Sequence, residues 1–150
     1  ILIEVQALAT SASYGNPQRG AGGIDTKRLA LLLAILEKRC EYPMGANDVF
    51  VSIAGGLRVS EPSVDLPLVA AIASSVTNRA IDPHTLVVGE VGLSGEVRGV
   101  TQIDRRIAEA AKLGFVRMVL PQSNLGKVVN RPIELVGVSS LQQALDVVLG

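Results

Sequence analysis

Apolar residues alternate with polar ones in several short stretches of the chain and recur at every third or fourth position in others. Alternation is typical of β-strands, and the longer spacing is typical of α-helices that bury one face. Strands are predicted over residues 1–9, 49–53, 57–59, 85–93, 96–100, 116–120 and 133–138. Helices are predicted over about 26–39, 64–76, 102–113 and 141–149. Stretches 10–23 and 122–131 are polar. The first is predicted to be a loop or an irregular hairpin, and the second a loop with room for one helical turn.

Residues that commonly cap helices stand at three of the predicted helix ends. Asp25 or Thr26 precedes the first helix, and Ser140 with Gln143 forms a capping box at the start of the last one. Gly114 is suited to end the third helix, because glycine adopts the left-handed conformation at little cost.

Helices alternate with strands, and hairpins are interspersed among them. This order favours an α/β (in a looser scheme α+β) fold, with a mixed sheet layered with helices. A length of 150 residues suits one domain with a core of its own. Because only 3% of the residues are aromatic, that core must consist of Val, Leu, Ile and Ala. The same scarcity argues against RNA-recognition sheets and oligonucleotide-binding barrels, which stack bases on aromatic rings.

Charge and cysteine content limit the partners of the chain. The 14 basic and 14 acidic residues balance, so any contact with nucleic acid must use a local patch or the summed patches of an oligomer. The single cysteine and single histidine provide no disulfide and no metal site of the usual kinds, and a reducing, cytoplasmic setting fits. No apolar run is long enough to span a bilayer. The chain begins within a strand and without methionine, which suggests a piece of a longer protein.

The stretch 49–76 is the most informative part of the chain. A strand is followed by the pair Gly55–Gly56, a second extended segment, and Ser63 at the start of an apolar helix. A small residue between strand and helix is a common position for a nucleophile or an anion site. The simpler interpretation is that Ser63 caps the helix and that Asp65 complements the helix dipole.

A glycine-rich segment earlier in the chain has the spacing of a phosphate-binding loop. Gly15 and Gly20 fit that motif, but Ala21 and Gly22 stand where lysine and serine or threonine are required. Nucleotide binding at this segment is therefore not expected.

Three blocks carry a resemblance to a known family: NDVFVSIAGGLRVSEPSVDLPLVAAIASS (47–75), VVGEVGLSGEVRGV (87–100) and RRIAEAAKLGF (105–115). They resemble the proteolytic domain of Lon-type proteases, and more closely the C-terminal Lon-like domain of the RadA (Sms) family of bacterial DNA-repair proteins. RLALLLAILEKR (28–39) is also similar to that family. The resemblance covers most of the chain and implies a Lon-protease-like fold of the ribosomal-protein-S5-domain-2 type.

The resemblance also identifies the positions of a serine–lysine dyad. The serine is retained as Ser63, but its flanking glycines are replaced by Glu61 and Asp65, whose carboxylates would repel a developing oxyanion. Asp104 aligns with the lysine, and the adjacent Arg105 stays protonated and cannot act as a base. The resemblance therefore implies a degenerate dyad, Ser63 and Asp104, in a domain without a catalytic residue or a metal site.

What the family resemblance implies is a non-catalytic scaffold. It would promote assembly of a hexameric ring and face DNA in recombinational repair and branch migration. A zinc finger and a RecA-like ATPase would precede it in the parent protein, so ATP, Mg and Zn are implied there and no cofactor is implied in this chain. An alternative is an active Lon-family serine peptidase with an altered general base. A third hypothesis is a protein-docking module without DNA contact.

Nine basic residues are candidates for DNA contact in such a ring, although each alone is typical of ordinary protein surface: Lys27, Arg28, Arg58, Arg98, Arg105, Arg106, Lys112, Arg117 and Lys127. Three other residues are given structural roles. Glu90 lies within an apolar strand and is expected to have a fixed partner, either backbone amides or an arginine. His84 is predicted to lie on the surface, and Cys40 to be a small, partly buried residue.

Overall fold

The computed structural model describes residues 4–12, 15–54 and 61–150. Its strands are β1 (Glu4–Ser11), β2 (Arg19–Gly22), β3 (Asn47–Ala54), β4 (Thr85–Val87), β5 (Glu90–Val91), β6 (Val97–Arg98), β7 (Arg117–Pro121) and β8 (Glu134–Val138). Its helices are α1 (Thr26–Cys40), α2 (Asp65–Thr77), α3 (Ile103–Lys112), α4 (Gln122–Leu125) and α5 (Leu141–Leu149). Short 3₁₀ turns occur at Met44–Ala46 and Pro62–Val64.

The first sheet has the strand order β1-β3-β2. β1 runs antiparallel to β3, so that Glu4 pairs with Ala54 and Ser11 with Asn47, whereas β2 runs parallel to β3. The alternation along β3 places Val49, Val51 and Ile53 in the core, where they pack with residues of α1 and α2.

The second sheet is parallel, with the order β4-β7-β8, and both of its faces are covered. Met118 and Leu120 pack with Ile107 of α3 on one side. Val119 belongs to the larger core, together with Leu145 of α5. Burial on both faces explains why β7 reads as a continuous apolar run and not as an alternating one.

β5 and β6 form a separate two-stranded hairpin, in which Glu90 pairs with Arg98. The single strand predicted over 85–93 is therefore wrong, because β4 and β5 belong to different sheets. The break lies at Gly89, whose N–H donates to Ser63 O at 3.1 Å and whose carbonyl accepts from Leu66 N at 3.0 Å. A side chain at this position would come 3.0 Å from Val97 Cγ1. The N–H and C=O of Gly89 thus bind the turn before α2 and the first residues of α2, and they do not pair within the second sheet.

The loop or irregular hairpin predicted over 10–23 contains β2 and the end of β1, and both strands pair with β3 instead of with each other. That prediction is therefore wrong in part. Arg19 anchors β2 by donating to Asn47 O and, at 2.8 Å, to Met44 O. Gly20 lies beneath Phe50, since a Cβ at position 20 would be 2.8 Å from the Phe50 ring. A strand of four residues that is held in place by such tertiary contacts shows no alternation of apolar and polar residues in its sequence. The strand predicted over 57–59 lies outside the described residues.

The predicted caps of α1 and α5 and the predicted glycine after α3 are confirmed, whereas the cap predicted for α2 is not. Asp25 accepts from Lys27 N at 3.0 Å, and Ser140 accepts from Gln143 N at 3.1 Å. Gly114 follows α3 with φ +94°. The predicted α/β class is also confirmed, with helices packed on more than one small sheet. No helix in the described ranges is both long enough and apolar enough to cross a membrane.

Candidate functional site

Ser63 lies in the 3₁₀ turn Pro62–Val64, and only 7% of its surface is exposed. The prediction that Ser63 caps α2 is wrong, because α2 begins at Asp65 with Val64 at the N-cap position and no side-chain cap. The physical reason is that the backbone is already helical at Val64, with φ −79° and ψ −14°. The N–H of Leu66 is satisfied by Gly89 O instead of by a serine hydroxyl.

The hydroxyl of Ser63 faces the guanidinium of Arg106. The distance from Arg106 Nη1 to Ser63 Oγ is 3.5 Å. Arg106 is fixed by an ion pair with Glu61 and by donation from Nε to Thr101 O at 2.8 Å. The bond from Arg106, with a smaller contribution from the Ser63 hydroxyl, lowers the pKa of the Glu61 carboxyl. Ser63 is therefore surrounded by a permanently charged donor and a weakly basic carboxylate, and neither group is suited to remove its proton.

Asp104, the residue predicted at the position of the dyad lysine, is bonded elsewhere. Its Oδ1 accepts from Val129 N at 3.1 Å, and its side chain is exposed. Residues two positions apart on a helix point about 200° away from each other. Arg106 thus approaches Ser63 on the side of α3 that Asp104 does not share. The sequence contained this signal, since position 106 lies three residues after the buried Ile103.

A serine–lysine mechanism needs a lysine whose amine can become neutral, which burial promotes. Ser63 is buried, whereas the lysines of this chain are all exposed, namely Lys27, Lys38, Lys112 and Lys127. This arrangement does not favour a lysine as a general base at Ser63.

Asp65 is more deeply buried than Ser63, with 3% of its surface exposed. Its carboxylate accepts from Arg28 Nε at 3.0 Å, from Arg28 Nη2, and from Val91 N at 3.0 Å. The hydrogen bond to Asp65 raises the pKa of Arg28. Asp65 does lie in the first turn of α2, as predicted, but sequence reasoning missed the ion pair. The signal available was an acidic residue within an otherwise apolar helix.

The basic candidates fall into two groups in the structure. Some are occupied: Arg28 by Asp65, Arg106 by Glu61, Arg117 by Thr85 Oγ1 at 3.2 Å, and Arg98 by Glu96 and, at 3.8 Å, by Glu90. The arginine near Glu90 matches one of the two partners expected for that residue. Within the described residues, three exposed candidates form no ion pair with a carboxylate: Lys27, Lys112 and Lys127. The Arg105 guanidinium interacts with the Glu109 carboxyl on the same helix. Arg58 lies outside the described residues.

An open cleft of about 660 Å³ lies beside the start of α3. It is lined by Val100, Thr101, Gln102, Ile103, Asp104, Arg105, Asn124 and Lys127. Asn124 forms one wall and is 5% exposed. Its side chain accepts from Val100 N and donates to Val100 O, both at 3.0 Å. This pair of bonds fixes the backbone at the edge of the cleft.

Two smaller predictions concern the remaining reactive residues. His84 is exposed and lies 3.5 Å from Asp82, and Cys40 is partly buried, as expected for both. Burial raises the pKa of the Cys40 thiol. Among the described residues, no group of three His, Cys, Asp or Glu side chains is placed to hold a metal ion.

The family model described as subunit ChlI of Mg-chelatase matches residues 27–124 of the chain. The chain belongs to this family. The ChlI match includes Ser63, Asp65, Arg106 and Asn124, and it ends before Lys127. The match establishes common descent for residues 27–124. It does not by itself indicate that the chain binds magnesium.

Curated relatives match the chain beyond the ChlI region. It is 49% identical to a protein of Halalkalibacterium halodurans and 46% identical to one of Bacillus subtilis, each over 100% of this chain and 33% of the relative. It is 43% identical to a protein of Chlamydia pneumoniae over 99% of this chain and 34% of the relative. All three relatives are named DNA repair protein RadA. The chain is thus homologous to RadA proteins and spans about a third of the length of the curated relatives it matches.

Proposed function

We propose that this chain is a non-proteolytic Lon-like domain of a RadA-type DNA-repair protein. In that protein it would promote assembly of a hexameric ring and contribute contacts to DNA during recombination and branch migration. One observation carries the proposal: the identity of 49%, 46% and 43% to proteins named DNA repair protein RadA extends over practically the whole chain.

The surroundings of Ser63 support the non-proteolytic part of this proposal. Arg106 occupies the space next to Ser63 Oγ, at 3.5 Å, and an arginine cannot accept the serine proton. The adjacent Glu61 is bound to the same guanidinium, so its carboxylate is stabilised as the charged, weakly basic form. Asp104 takes no part in this site, because its carboxylate accepts from the backbone N–H of Val129.

The remaining two thirds of such a parent protein would carry the chemistry. ATP and Mg would bind to a RecA-like ATPase, and Zn would bind to a zinc finger, both outside this chain. The protein would act in the cytoplasm, where its DNA substrate is found. In this arrangement residues 1–150 serve assembly and DNA contact, and hydrolysis of ATP belongs to other residues.

The intact protein that contains this chain provides the test. Its mass is measured by light scattering, and its binding to a DNA duplex is measured at low and moderate salt, with and without residues 1–150. A six-fold mass and salt-sensitive DNA binding that both decline on removal of the segment would support the proposal. Unchanged mass and unchanged DNA binding would overturn it and favour a protein-docking module.

Peptidase activity is tested separately with a fluorophosphonate probe, which labels activated serines. The intact protein is compared with the Ser63→Ala variant, and casein cleavage is followed in parallel. We expect neither labelling nor cleavage that depends on Ser63. Labelling that disappears in the Ser63→Ala variant would contradict the non-proteolytic assignment and establish an active peptidase with an altered base.

A further inference from the structure

We propose that the outer face of the first sheet is the docking surface for the part of the same polypeptide that lies outside residues 1–150. The inference rests on the proposed function, because it takes the parent protein to have the length of the curated relatives. This chain spans 33% or 34% of those relatives. The inference names the surface through which such a domain is held against the rest of its protein.

The helices cover only one face of the first sheet. Along β3, Val49, Val51 and Ile53 belong to the main core, which residues of α1 and α2 also form. On the opposite face, here called the outer face, the residues of β1 at positions 4, 6, 8 and 10 are all exposed. Phe50 and Ser52 of β3 are exposed on that face as well. Among the described residues, therefore, no helix buries the outer face.

Two large apolar side chains stand next to each other on the outer face. Leu8 of β1 pairs directly with Phe50 of β3, which in turn pairs with Gly20 of β2. Leu8 is 57% exposed and Phe50 is 39% exposed. The Phe50 ring leans toward β2, where a Cβ at position 20 would lie 2.8 Å from the ring. A sheet with one solvated face normally presents polar side chains there, so an apolar row across three strands indicates an interaction surface.

The charges on the outer face disfavour a phosphate backbone as its partner. By the alternation of the strands, the described charged side chains on this face are Glu4 and Asp48, at opposite ends of it, and both are acidic. Other positions on the face, Gln6, Thr10 and Ser52, carry neutral polar side chains. An apolar centre with a polar rim is typical of surfaces that bind protein.

The size of the outer face distinguishes a tethered partner from a free one. Strands about 4.8 Å apart that rise about 3.3 Å per residue give β1, β2 and β3 a face on the order of 300 Å². A stable complex of separate chains buries about 800 Å² on each partner. Contacts between domains of one chain begin at about 600 Å² in total, or roughly 300 Å² on each side. The outer face therefore matches a small contact between domains and is too small for a stable complex.

Covalent attachment compensates for the small area. A linked partner is present at an effective concentration on the order of millimolar, so a contact too weak to hold a free protein is still largely occupied. A second copy of the chain or a separate protein has no such advantage. Leu8 and Phe50 form the apolar centre of the contact, and the exposed Gly22 leaves room for the partner to approach β2 closely.

The test places a photoreactive side chain on the outer face of the intact protein. Ser52 is replaced by benzoylphenylalanine, because Ser52 is exposed there and its replacement leaves Leu8 and Phe50 in place. After irradiation, the cross-linked peptides are identified by mass spectrometry. Under denaturing conditions a cross-link within one chain keeps the mass of one chain, whereas a cross-link between copies doubles it. We expect chains of single mass in which position 52 is joined to a peptide from outside residues 1–150.

A pair of leucine variants tests which side chains hold the contact. Leu8→Gln is combined with the photoreactive residue at position 52. Leu93→Gln is the matched control, because Leu93 is 65% exposed and lies outside the first sheet. Loss of the leucine that docking buries should lower the ratio of cross-linked to free chains by about tenfold. The control should retain the ratio of the parent protein, and circular dichroism of each variant separates a lost contact from a lost fold.

The other outcomes each overturn a definite claim. Cross-links confined to residues 1–150 of one chain, or no cross-link, would show that the outer face has no tethered partner. Cross-links of doubled mass would assign the face to another copy instead. If removal of residues 1–150 leaves the mass and DNA binding of the parent unchanged, the proposed function fails, whatever position 52 captures. If both decline but position 52 captures no peptide from outside residues 1–150, the docking surface alone is wrong.

Discussion

Arg28 on α1 and Asp65 on α2 form an ion pair in which Arg28 Nε lies 3.0 Å from Asp65 Oδ1. The other carboxylate oxygen accepts from Val91 N of the β5–β6 hairpin at 3.0 Å. One side chain with 3% exposure thus connects two helices and a hairpin. Since a buried charge is costly without partners, the contact specifies how these three elements are arranged.

The first prediction concerns the removal of Arg28. Arg28→Ala leaves the Asp65 carboxylate buried without its counter-ion, so we expect the free energy of unfolding to fall by about 3 kcal/mol. Urea denaturation followed by circular dichroism measures the change. Lys27→Ala is the matched control, because Lys27 is adjacent and exposed, and its loss should be below about 0.5 kcal/mol.

The double variant Arg28→Met, Asp65→Leu separates a missing partner from a missing contact. Because it removes both charges together, it should recover part of the stability lost in Arg28→Ala. A double variant that is less stable than Arg28→Ala would show that the cost comes from packing or from the lost bond to Val91 N, and not from an unpaired carboxylate.

The second prediction concerns pH and Glu96. Hydrogen bonds from the Ser94 hydroxyl and the local backbone, together with Arg98, lower the pKa of Glu96 from 4.5 to about 2. A carboxyl whose pKa is lower in the folded state stabilises that state above its unfolded pKa, and this stabilisation disappears as the pH falls toward the folded pKa. The contribution should therefore be complete above pH 4.5 and disappear as the pH approaches about 2.

Thermal melts of the parent protein and Glu96→Gln over this pH range provide the measurement. The melting temperatures should differ most near neutral pH and converge in acid. The amide retains the shape of the side chain but has no charge to titrate. A constant difference across the range would mean that Glu96 acts through packing alone.

The third prediction concerns the two hydrogen bonds between Asn124 and Val100 at the edge of the cleft, here called the clamp. Asn124→Ala removes both bonds to Val100 and leaves a partly buried N–H and C=O without these partners. We expect a loss of about 2 kcal/mol in the free energy of unfolding. Ser123→Ala, at the exposed neighbouring position, is the control and should change little. Faster hydrogen exchange at Val100 N in Asn124→Ala, and not in the control, would identify the clamp as the cause.

The fourth prediction contrasts two leucines at opposite extremes of burial. Leu66 is 0% exposed and belongs to the main core, whereas Leu93 is 65% exposed. Leu66→Ala should cost about 3 kcal/mol in unfolding free energy, and Leu93→Ala less than about 0.5 kcal/mol. Chemical denaturation of the two variants tests the packing of α2 against its surroundings. Equal losses of unfolding free energy in the two variants would contradict this difference in burial.

Local patterns were sufficient to locate the helices, although not to find the start of α2, and they were insufficient for the division of the strands. The caps at Asp25 and Ser140 involve residues only two or three positions apart, and both were found from the sequence. The Gln143 side chain, predicted to complete a capping box, accepts from Ser139 N instead of from Ser140 N. β2 was missed because its position depends on Arg19 reaching Met44 and on the approach of Phe50 to a glycine. The break at Gly89 likewise depends on a distant part of the chain.

The candidate site was predicted in part. Ser63 was located from its position after the glycine pair, but its actual neighbour, Arg106, was assigned only to a possible DNA surface. A linear alignment selected Asp104, whereas the helical periodicity of α3 places position 106 close to the buried side that begins at Ile103. The Arg28–Asp65 pair joins residues 37 positions apart, and no local pattern predicts such a contact.

The β1–β3 ladder pairs Glu4 with Ala54 at one end and Ser11 with Asn47 at the other, and this pairing has a kinetic consequence. β1 emerges before β3 during synthesis, so it cannot pair with β3 until α1 and the start of β3 have followed it. The entropy of closing this long loop is spent before the ladder compensates for it, which slows the search for the native topology. Meanwhile β1 has unpaired amides and carbonyls that can join other chains. Because of this order of synthesis, folding and aggregation compete while the first sheet forms.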